Sequence, residues 1–272
     1  MTRKDEYYNR AKQEGYRSRA AYKLRQLDEE ADLFAEGDTV VDLGAAPGGW
    51  LQVAREAVGD EGTVVGVDLQ RISPIEGVET VRGDMTEEST REEVRKLVGE
   101  VDQREPSGSA AGEGRPASGE ADVVLSDMAP NMTGEYSLDH ARSVYLARMA
   151  FETALELLAP GGDLVAKVFE GPDTADLRED MDREFQYVRT VHPEASRDAS
   201  SELFLVAKGR LTAPVREGDR LEVEIDDVGR EGDGITRVGG YTVFVPGTEA
   251  GETVEIRITD VKPRFGFAER VD

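Results

Sequence analysis

The chain has 272 residues, 38% hydrophobic and 33% charged, with a formal net charge of −24. Its length exceeds what one hydrophobic core needs, so a large domain plus a small one is expected, and no apolar run long enough for a bilayer or a secretory signal is present, which reads as cytoplasmic. Cysteine is absent and the two histidines, His140 and His192, stand far apart, which excludes disulfides and thiolate sites and leaves no metal expected.

The acidic excess argues at first against a polyanionic partner, because nucleic-acid binding relies on Lys and Arg. A uniformly acidic, lysine-poor chain is also how a halophile's proteins look. At molar salt the Debye length falls to roughly 3 Å, so local contacts decide. The first 25 residues differ locally: Arg3, Lys4, Arg10, Lys12, Arg17, Arg19, Lys23 and Arg25 face only Asp5, Glu6 and Glu14, with Tyr7, Tyr8, Tyr16 and Tyr22 interleaved. This arm is an expected RNA-contact surface. A helix with merely solvated charges is the plainer alternative.

Residues 20–32 read as a helix with Ala21, Leu24 and Leu27 on its apolar face. A short strand over 39–43 runs into a glycine-rich turn, followed by a helix over 49–58 and a second strand over 63–68. A third strand at 78–82 leads to Gly83-Asp84 and a charged helix over about 87–98. Residues 99–120, rich in Gly, Ser, Ala, Pro, Glu and Arg without periodicity, read as a mobile surface insertion. A fourth strand at 122–126, a long helix at about 137–158 stopped by Ala159-Pro160-Gly161-Gly162, and a fifth strand at 163–169 follow. Strands near 187–191 and 202–207 complete an α/β, Rossmann-like pattern, a parallel-type sheet covered on both faces. From about Leu211 short alternating segments and glycine turns predict a small closed β-barrel, giving domains at 1–210 and 212–272.

Asp42-Leu43-Gly44-Ala45-Ala46-Pro47-Gly48-Gly49-Trp50 follows a buried strand and opens a helix, where an open α/β sheet binds its nucleotide. It lacks the G-x-G-x-x-G spacing, and Pro47 suits a dinucleotide clamp poorly. A glycine turn without a phosphate clamp suits S-adenosylmethionine, whose amino-acid end lies close to the backbone. Asp68 ends the second strand, placed to accept from ribose hydroxyls. Asp84 ends the third, where it can accept from the adenine amino group. Trp50 is equally well explained as core packing.

Gly15-Tyr16-Arg17-Ser18-Arg19-Ala20-Ala21-Tyr22-Lys23-Leu24, the 42–50 turn, Ser126-Asp127-Met128-Ala129-Pro130-Asn131, Ala166-Lys167-Val168-Phe169 and Ser201-Glu202-Leu203-Phe204 occur in an order that resembles the FtsJ/RrmJ family. The likeness covers about residues 5–208, interrupted by the insertion. It implies a ribosomal RNA large-subunit 2′-O-methyltransferase, with a Lys-Asp-Lys-Glu tetrad at Lys23, Asp127, Lys167 and Glu202, and cofactor contacts at Gly48, Trp50, Asp68, Asp84 and Asp127. The chemistry is consistent on its own terms. A ribose 2′-hydroxyl is a poor nucleophile that must be positioned and relieved of its proton as it attacks a sulfonium methyl. Lys167 is the candidate base or steering group. Lys23 would lower its pKa and the two carboxylates would raise it, so the choice stays open. An Arg could not do the same work, because it stays protonated. Base N-methylation, the nearest competing chemistry, usually places Asn/Asp-Pro-Pro-aromatic after the fourth strand, and no aromatic stands there.

Residues 212–272 resemble a TRAM domain, through Gly232-Asp233-Gly234-Ile235, Val243-Phe244-Val245-Pro246-Gly247 and Lys262-Pro263-Arg264-Phe265-Gly266-Phe267-Ala268. That likeness implies an RNA-binding barrel, with Arg230, Arg237, Lys262, Arg264 and Phe265 as its contacts. The alternative is a structural barrel docked on the first domain. Together these readings predict a monomeric enzyme that methylates a uridine 2′-hydroxyl in large-subunit ribosomal RNA, naked or within the assembled 50S particle. The same chemistry on tRNA, or an RNA-binding ribosome-assembly factor, are the alternatives.

Overall fold

The computed structural model describes residues 3–101, 120–196 and 201–271. An N-terminal helix α1 (Arg3–Glu14) precedes α2 (Ala21–Ala31), β1 (Thr39–Leu43), α3 (Gly49–Val58), β2 (Thr63–Asp68), β3 (Val78–Arg82) and α4 (Glu88–Val101). Then come β4 (Ala121–Ser126), α5 (Tyr136–Leu157), β5 (Leu158–Phe169), α6 (Thr174–Asp182), β6 (Phe185–Val191) and β7 (Glu202–Arg210). These seven strands form one sheet in the order β3-β2-β1-β4-β5-β7-β6. Its parallel part reverses direction of growth between β1 and β4, which opens a crevice at their carboxyl ends.

The sheet is covered on both faces, as the strand and helix alternation predicts. On one face Leu24, Leu27 and Leu51 from α2 and α3 pack with Val40, Val165 and Phe204. On the other, Val94, Phe151 and Leu177 from α4, α5 and α6 pack with Val41, Leu164 and Leu205. The expectation of a parallel-type sheet needs one correction: β7 runs antiparallel between β5 and β6. This matters for the chemistry, because reversal brings the first residue of β7, Glu202, level with Phe169 at the end of β5.

Three local features depart from the sequence reading. Helix α4 runs on through Gly99 to Val101, its valines at 94, 98 and 101 keeping helical spacing, so the insertion begins later than 99, and residues 102–119 lie outside the described residues. The Ala159-Pro160-Gly161-Gly162 stop belongs to β5, which begins directly after α5 and shifts register there against β4. Helix α6 went unpredicted; its nine residues carry a thin apolar signal, buried Leu177 and Met181 four positions apart.

The C-terminal region is β8 (Arg220–Glu224), β9 (Asp227–Val228), β10 (Gly234–Val238), β11 (Tyr241–Val245), β12 (Thr253–Val261) and β13 (Phe265–Arg270). They pair in the order β8-β12-β13-β11-β10-β9. Its two edge strands, β8 and β9, are joined in the chain by Ile225 and Asp226 alone, so the sheet curls round a core of Ile225, Val243, Val245 and Ile256. No helix among the described residues is long and apolar enough to cross a membrane, and none of their His, Asp or Glu groups forms a cluster that could hold a metal ion.

Candidate active site

The four predicted tetrad residues meet at the carboxyl end of the sheet. Lys167 lies two positions after Val165 on β5 and so on the same face. Val165 packs toward α2 and α3, so the Lys167 side chain leaves the sheet on the side where α2 carries Lys23. The Lys167 Nζ donates to the Asp127 carboxylate at 2.7 Å and to the Asp127 carbonyl at 2.5 Å. Lys23 Nζ stands 2.7 Å from Glu202 Oε1 and 4.0 Å from Asp127 Oδ1, so Asp127 is shared between the lysines. Lys23 also lies over the Phe204 ring, 5.7 Å from its centre, a favourable cation–π contact.

Both lysines are buried, with 6% and 7% of their surface exposed. They nonetheless line a cleft of about 380 Å³ together with Ser18, Arg19, Ala129, Met132, Phe169 and Glu202. Burial pushes the Glu202 carboxyl up, but the Lys23 ammonium against it, aided by Ser196 and Lys167, brings it below the usual carboxylate range. Glu202 is therefore an anion in the folded chain at neutral pH.

The turn after β1 is built from residues that a side chain would spoil. Gly44 and Gly48 have φ of +79° and +105°, the left-handed region that favours glycine. A Cβ on Gly44 would fall 2.5 Å from the Met128 side chain, so the 126–131 segment can lie against the turn only because Gly44 has none. Asp68 holds the turn from the side: its carboxylate accepts from Ala46 N at 2.9 Å and Gln70 N at 2.7 Å. Each oxygen keeps a lone pair for a further donor. Asp84 accepts from the Thr86 N–H and hydroxyl, which hold its carboxyl below the ordinary range. The Trp50 side chain lies in the core, 3% exposed, its indole N–H donating to Ala20 O at 2.8 Å and its ring against Phe204. What Trp50 can offer to the crevice is its backbone N–H, in the first turn of α3, where helical N–H groups have no intrahelical acceptor.

Asp42, the first residue of the turn motif, has no role evident from the sequence. Its carboxylate is 1% exposed, and neither oxygen meets a hydrogen-bond donor among the described residues. Burial, and then the neighbouring charges of Asp127 and Asp68, push its carboxyl well up. The signal was an acidic residue at a fully buried strand position, visible only once β1 is known to be central.

In the basic arm the tyrosines do other work than expected. Tyr7, Tyr16 and Tyr22 pack ring against ring, Arg10 lies over Tyr22 and pairs with Glu14, and only Tyr8 of the four is well exposed. In the C-terminal sheet, Phe244, Phe265 and Phe267 form a three-ring cluster with centroids 5.6–5.9 Å apart. The pairing of Arg237 with Thr242 and of Thr242 with Phe265 puts Arg237 on the same outward row. Lys262 is paired with Asp260 at 2.8 Å, and Arg264 lies in a groove with Asp122 and Gly161 at the amino end of the large sheet. The expected barrel contacts thus divide: Phe265 and Arg237 share a face, whereas Lys262 is ion-paired and Arg264 lines the groove toward the large sheet.

Residues 16–210 match the FtsJ-like methyltransferase family and residues 214–271 the TRAM domain. The chain belongs to the FtsJ-like methyltransferases. It is 75% identical to the ribosomal RNA large subunit methyltransferase E of Natronomonas pharaonis, over all of both chains. To the protein of that name from Halorubrum lacusprofundi it is 62% identical, over 100% of this chain and 95% of the relative. A solved structure from Plasmodium falciparum, described as that of a ribosomal RNA methyltransferase, superposes with a TM-score of 0.59 at 24% identity, covering 72% of this chain and 98% of that one. At that identity the likeness speaks for the fold alone. The halophilic relatives agree with the acidic, lysine-poor composition.

S-adenosylmethionine is the cofactor of this FtsJ-like methyltransferase, and the crevice fits it. Asp42 is a buried carboxyl with no hydrogen-bond partner among the described residues, close to Asp68 and Asp127. Such a surround suits a ligand that carries both a sulfonium and an ammonium charge.

Proposed function

We propose that this FtsJ-like methyltransferase methylates the 2′-hydroxyl of a uridine ribose in large-subunit ribosomal RNA. The observation that carries the reading is the convergence of Lys23, Lys167 and Glu202 on one small cleft, with Asp127 against both lysines and a glycine turn suited to the cofactor beside it. The names of the halophilic relatives support the choice of RNA.

Bound S-adenosylmethionine supplies an electrophilic methyl group on a sulfonium. Asp68 would accept from its ribose hydroxyls, Asp84 from its adenine amino group, and the Gly48 and Trp50 backbone would line its amino-acid end with Asp127. Lys167 acts on the nucleophile. An ammonium has three donors, and Asp127 takes two of those on Lys167. The third is left for the 2′-oxygen, fixing which of its lone pairs faces the methyl group. Lys23 and Glu202 hold each other and bound the far side of the cleft, where Glu202 is anionic and can accept the hydroxyl's hydrogen. Ala129, Met132 and Phe169 give the cleft a less polar wall, against which a base can rest.

The TRAM-like sheet adds RNA affinity in this reading. Three exposed or half-exposed phenylalanines with an arginine on the same row suit unstacked bases and a phosphate. Because stacking is screened little by salt, it suits a protein of net charge −24. The test is to map 2′-O-methyl groups over ribosomal and transfer RNA in cells with and without the gene, and to restore the chain in vitro. Loss and restoration of one large-subunit uridine site is the expected result. A lost tRNA site, or a methylated base in place of a ribose, overturns it.

A further inference from the structure

The segment Gly15–Ala20 joins α1 to α2, and its arginines belong to the basic arm expected to contact RNA. The structure spends Arg17 differently. Its guanidinium donates to three backbone carbonyls, Pro47 O at 3.3 Å, Ser73 O at 2.5 Å and Pro74 O at 2.7 Å. The first belongs to the glycine turn after β1, and the other two to the loop that follows Asp68. The missing Cβ of Gly48 is where Arg17 packs: one placed there would meet Arg17 Nη1 at 3.0 Å and Cδ at 3.3 Å.

The rest of the segment is fastened to the same helix. Gln52 of α3 accepts from Arg17 N at 2.8 Å and donates to Gly15 O at 3.1 Å. Tyr16 donates to Glu56 at 2.6 Å, and Trp50 donates to Ala20 O. Ser18 sits against Gly49 so closely that a Cβ there would meet its hydroxyl at 2.3 Å. One side of a six-residue segment is thus bound to the turn and to the helix it opens. From the same segment Ser18, Arg19 and Ala20 line the tetrad cleft, with Lys23 one turn further on.

We propose that Gly15–Ala20 is a wall shared by the two sites, through which an occupied cofactor site tightens the RNA site, with Arg17 as the positioning residue that links them. This rests on the cofactor lying between the Asp42–Trp50 turn and the loop after Asp68. A ligand held there fixes the carbonyls of Pro47, Ser73 and Pro74, and so fixes the arginine that spans them. Arg17 then holds Ser18, Arg19 and Lys23 in the arrangement the RNA meets. Binding linkage is reciprocal, so RNA tightens the cofactor by the same factor. A lysine cannot replace Arg17, because a single ammonium on a flexible stem does not present a planar fork to carbonyls on two loops.

The test uses the full chain and filter binding of a radiolabelled large-subunit rRNA transcript, with and without saturating S-adenosylhomocysteine. The wild type should bind the transcript at least about fivefold more tightly with the nucleoside present. Arg17→Ala should bring that ratio close to one, and weaken S-adenosylhomocysteine by about tenfold or more in calorimetry without RNA. Its rRNA affinity without the nucleoside should stay near wild type, an outcome that general damage to the fold would not give. Arg17→Lys should also lower the ratio, and carries the test if the alanine variant shows no cooperative melting. A wild-type ratio of one overturns the proposal, as does an unchanged ratio in either variant. The cofactor placement stands or falls separately: if Asp68→Ala leaves S-adenosylhomocysteine affinity unchanged in calorimetry, that placement is wrong whatever the ratio shows.

Discussion

Lysines meet buried carboxylates at both ends of the large sheet, with opposite results. At the carboxyl end two lysines face Asp127 and Glu202, and Glu202 lies below its usual range despite burial. At the amino end Asp38, Asp122 and Asp163 share one lysine, Lys208, which is ion-paired with Asp163 and donates to Asp32 O. There burial prevails: Asp163 is raised, and Asp38 is pushed up to about 6 by desolvation and by its two aspartate neighbours. The carboxyl end opens on a cleft, while the amino end meets the TRAM-like sheet, with Pro263 3.5 Å from where a Cβ on Gly161 would stand. Both clusters are partly buried and both contain lysine. At Glu202 the lysine ammonium ions outweigh burial, whereas at Asp163 and Asp38 the single lysine does not.

The sharpest way to break this comparison is to remove one lysine from each end. Lys167→Ala should lower methyl transfer by about 10²–10⁴-fold with a melting temperature near wild type, because Asp127 keeps some access to solvent. Lys208→Ala should retain activity below its melting point, yet lose on the order of 3 kcal/mol by leaving Asp163 buried without its cation. That amounts to roughly 6–12 °C of melting temperature. A radiolabelled methyl assay and calorimetric melts read both. Equal activity losses in the two variants would remove the distinction between the ends.

The contrast between the ends also shows what a sequence exposes. Lys23 and Lys167 were legible because lysine is scarce in this chain, seven among 272 residues, and both fall in motifs. The positions of Asp68, at the end of β2, and of Asp84, just beyond β3, were legible because strand ends can be read from apolar runs. Asp42 was not, since a carboxylate inside a strand declares its burial only when neighbouring strands are in place. Arg17 looked like one more cation in a basic arm, and its three carbonyl partners lie 30 to 57 positions away. Helix α6 was missed for want of apolar residues. The reversal of β7 was hidden because alternation in a strand says nothing about direction.

Asp68→Ala tests whether the carboxyl-end carboxylates outside the tetrad belong to the cofactor. It should weaken S-adenosylmethionine by roughly 10–150-fold, the worth of hydrogen bonds to a charged group, with lost turnover partly recovered at high cofactor concentration. Some of the loss would pass through the turn, since Ala46 N gives up its acceptor. Calorimetric affinity near wild type would show that Asp68 only holds that turn.

A smaller effect is expected in the TRAM-like sheet. Phe265→Ala removes one ring of the three-ring cluster and should raise the Michaelis constant for an rRNA fragment roughly tenfold, as loss of one stacked base would. The constant for the cofactor should not change. Because the contribution is stacking, the deficit should persist at molar KCl, whereas a phosphate contact would fade with salt. Steady-state kinetics at two salt concentrations separate the cases, and unchanged constants at both would return the sheet to a structural role.

The smallest effect belongs to Asp38, and it carries a sign that distinguishes the amino end from the tetrad. Its carboxyl titrates near 3.8 in the unfolded chain and at about 6 when folded. Below the lower value both states hold the proton and the group costs nothing. As pH rises through the window, the unfolded chain releases its proton while the folded chain keeps it, so stability falls. Above about 6 the full cost is present. Glu202 has the opposite sign: its contribution is present above its ordinary range and is lost as pH falls. Asp38→Asn removes the charge but keeps a side-chain oxygen for the Ala35 N–H, which the aspartate accepts at 2.7 Å. With the shift discounted for partial exposure, the variant should gain about 1 kcal/mol at pH 7.5, or roughly 2–4 °C in melting temperature. The gain should vanish near pH 4, and Glu202 cancels because it is common to both proteins. Melting curves at the two pH values read this directly. A gain equal at both would trace the effect to something other than this charge, and a loss at pH 7.5 would mean that the amino-end cluster is held together by its anions.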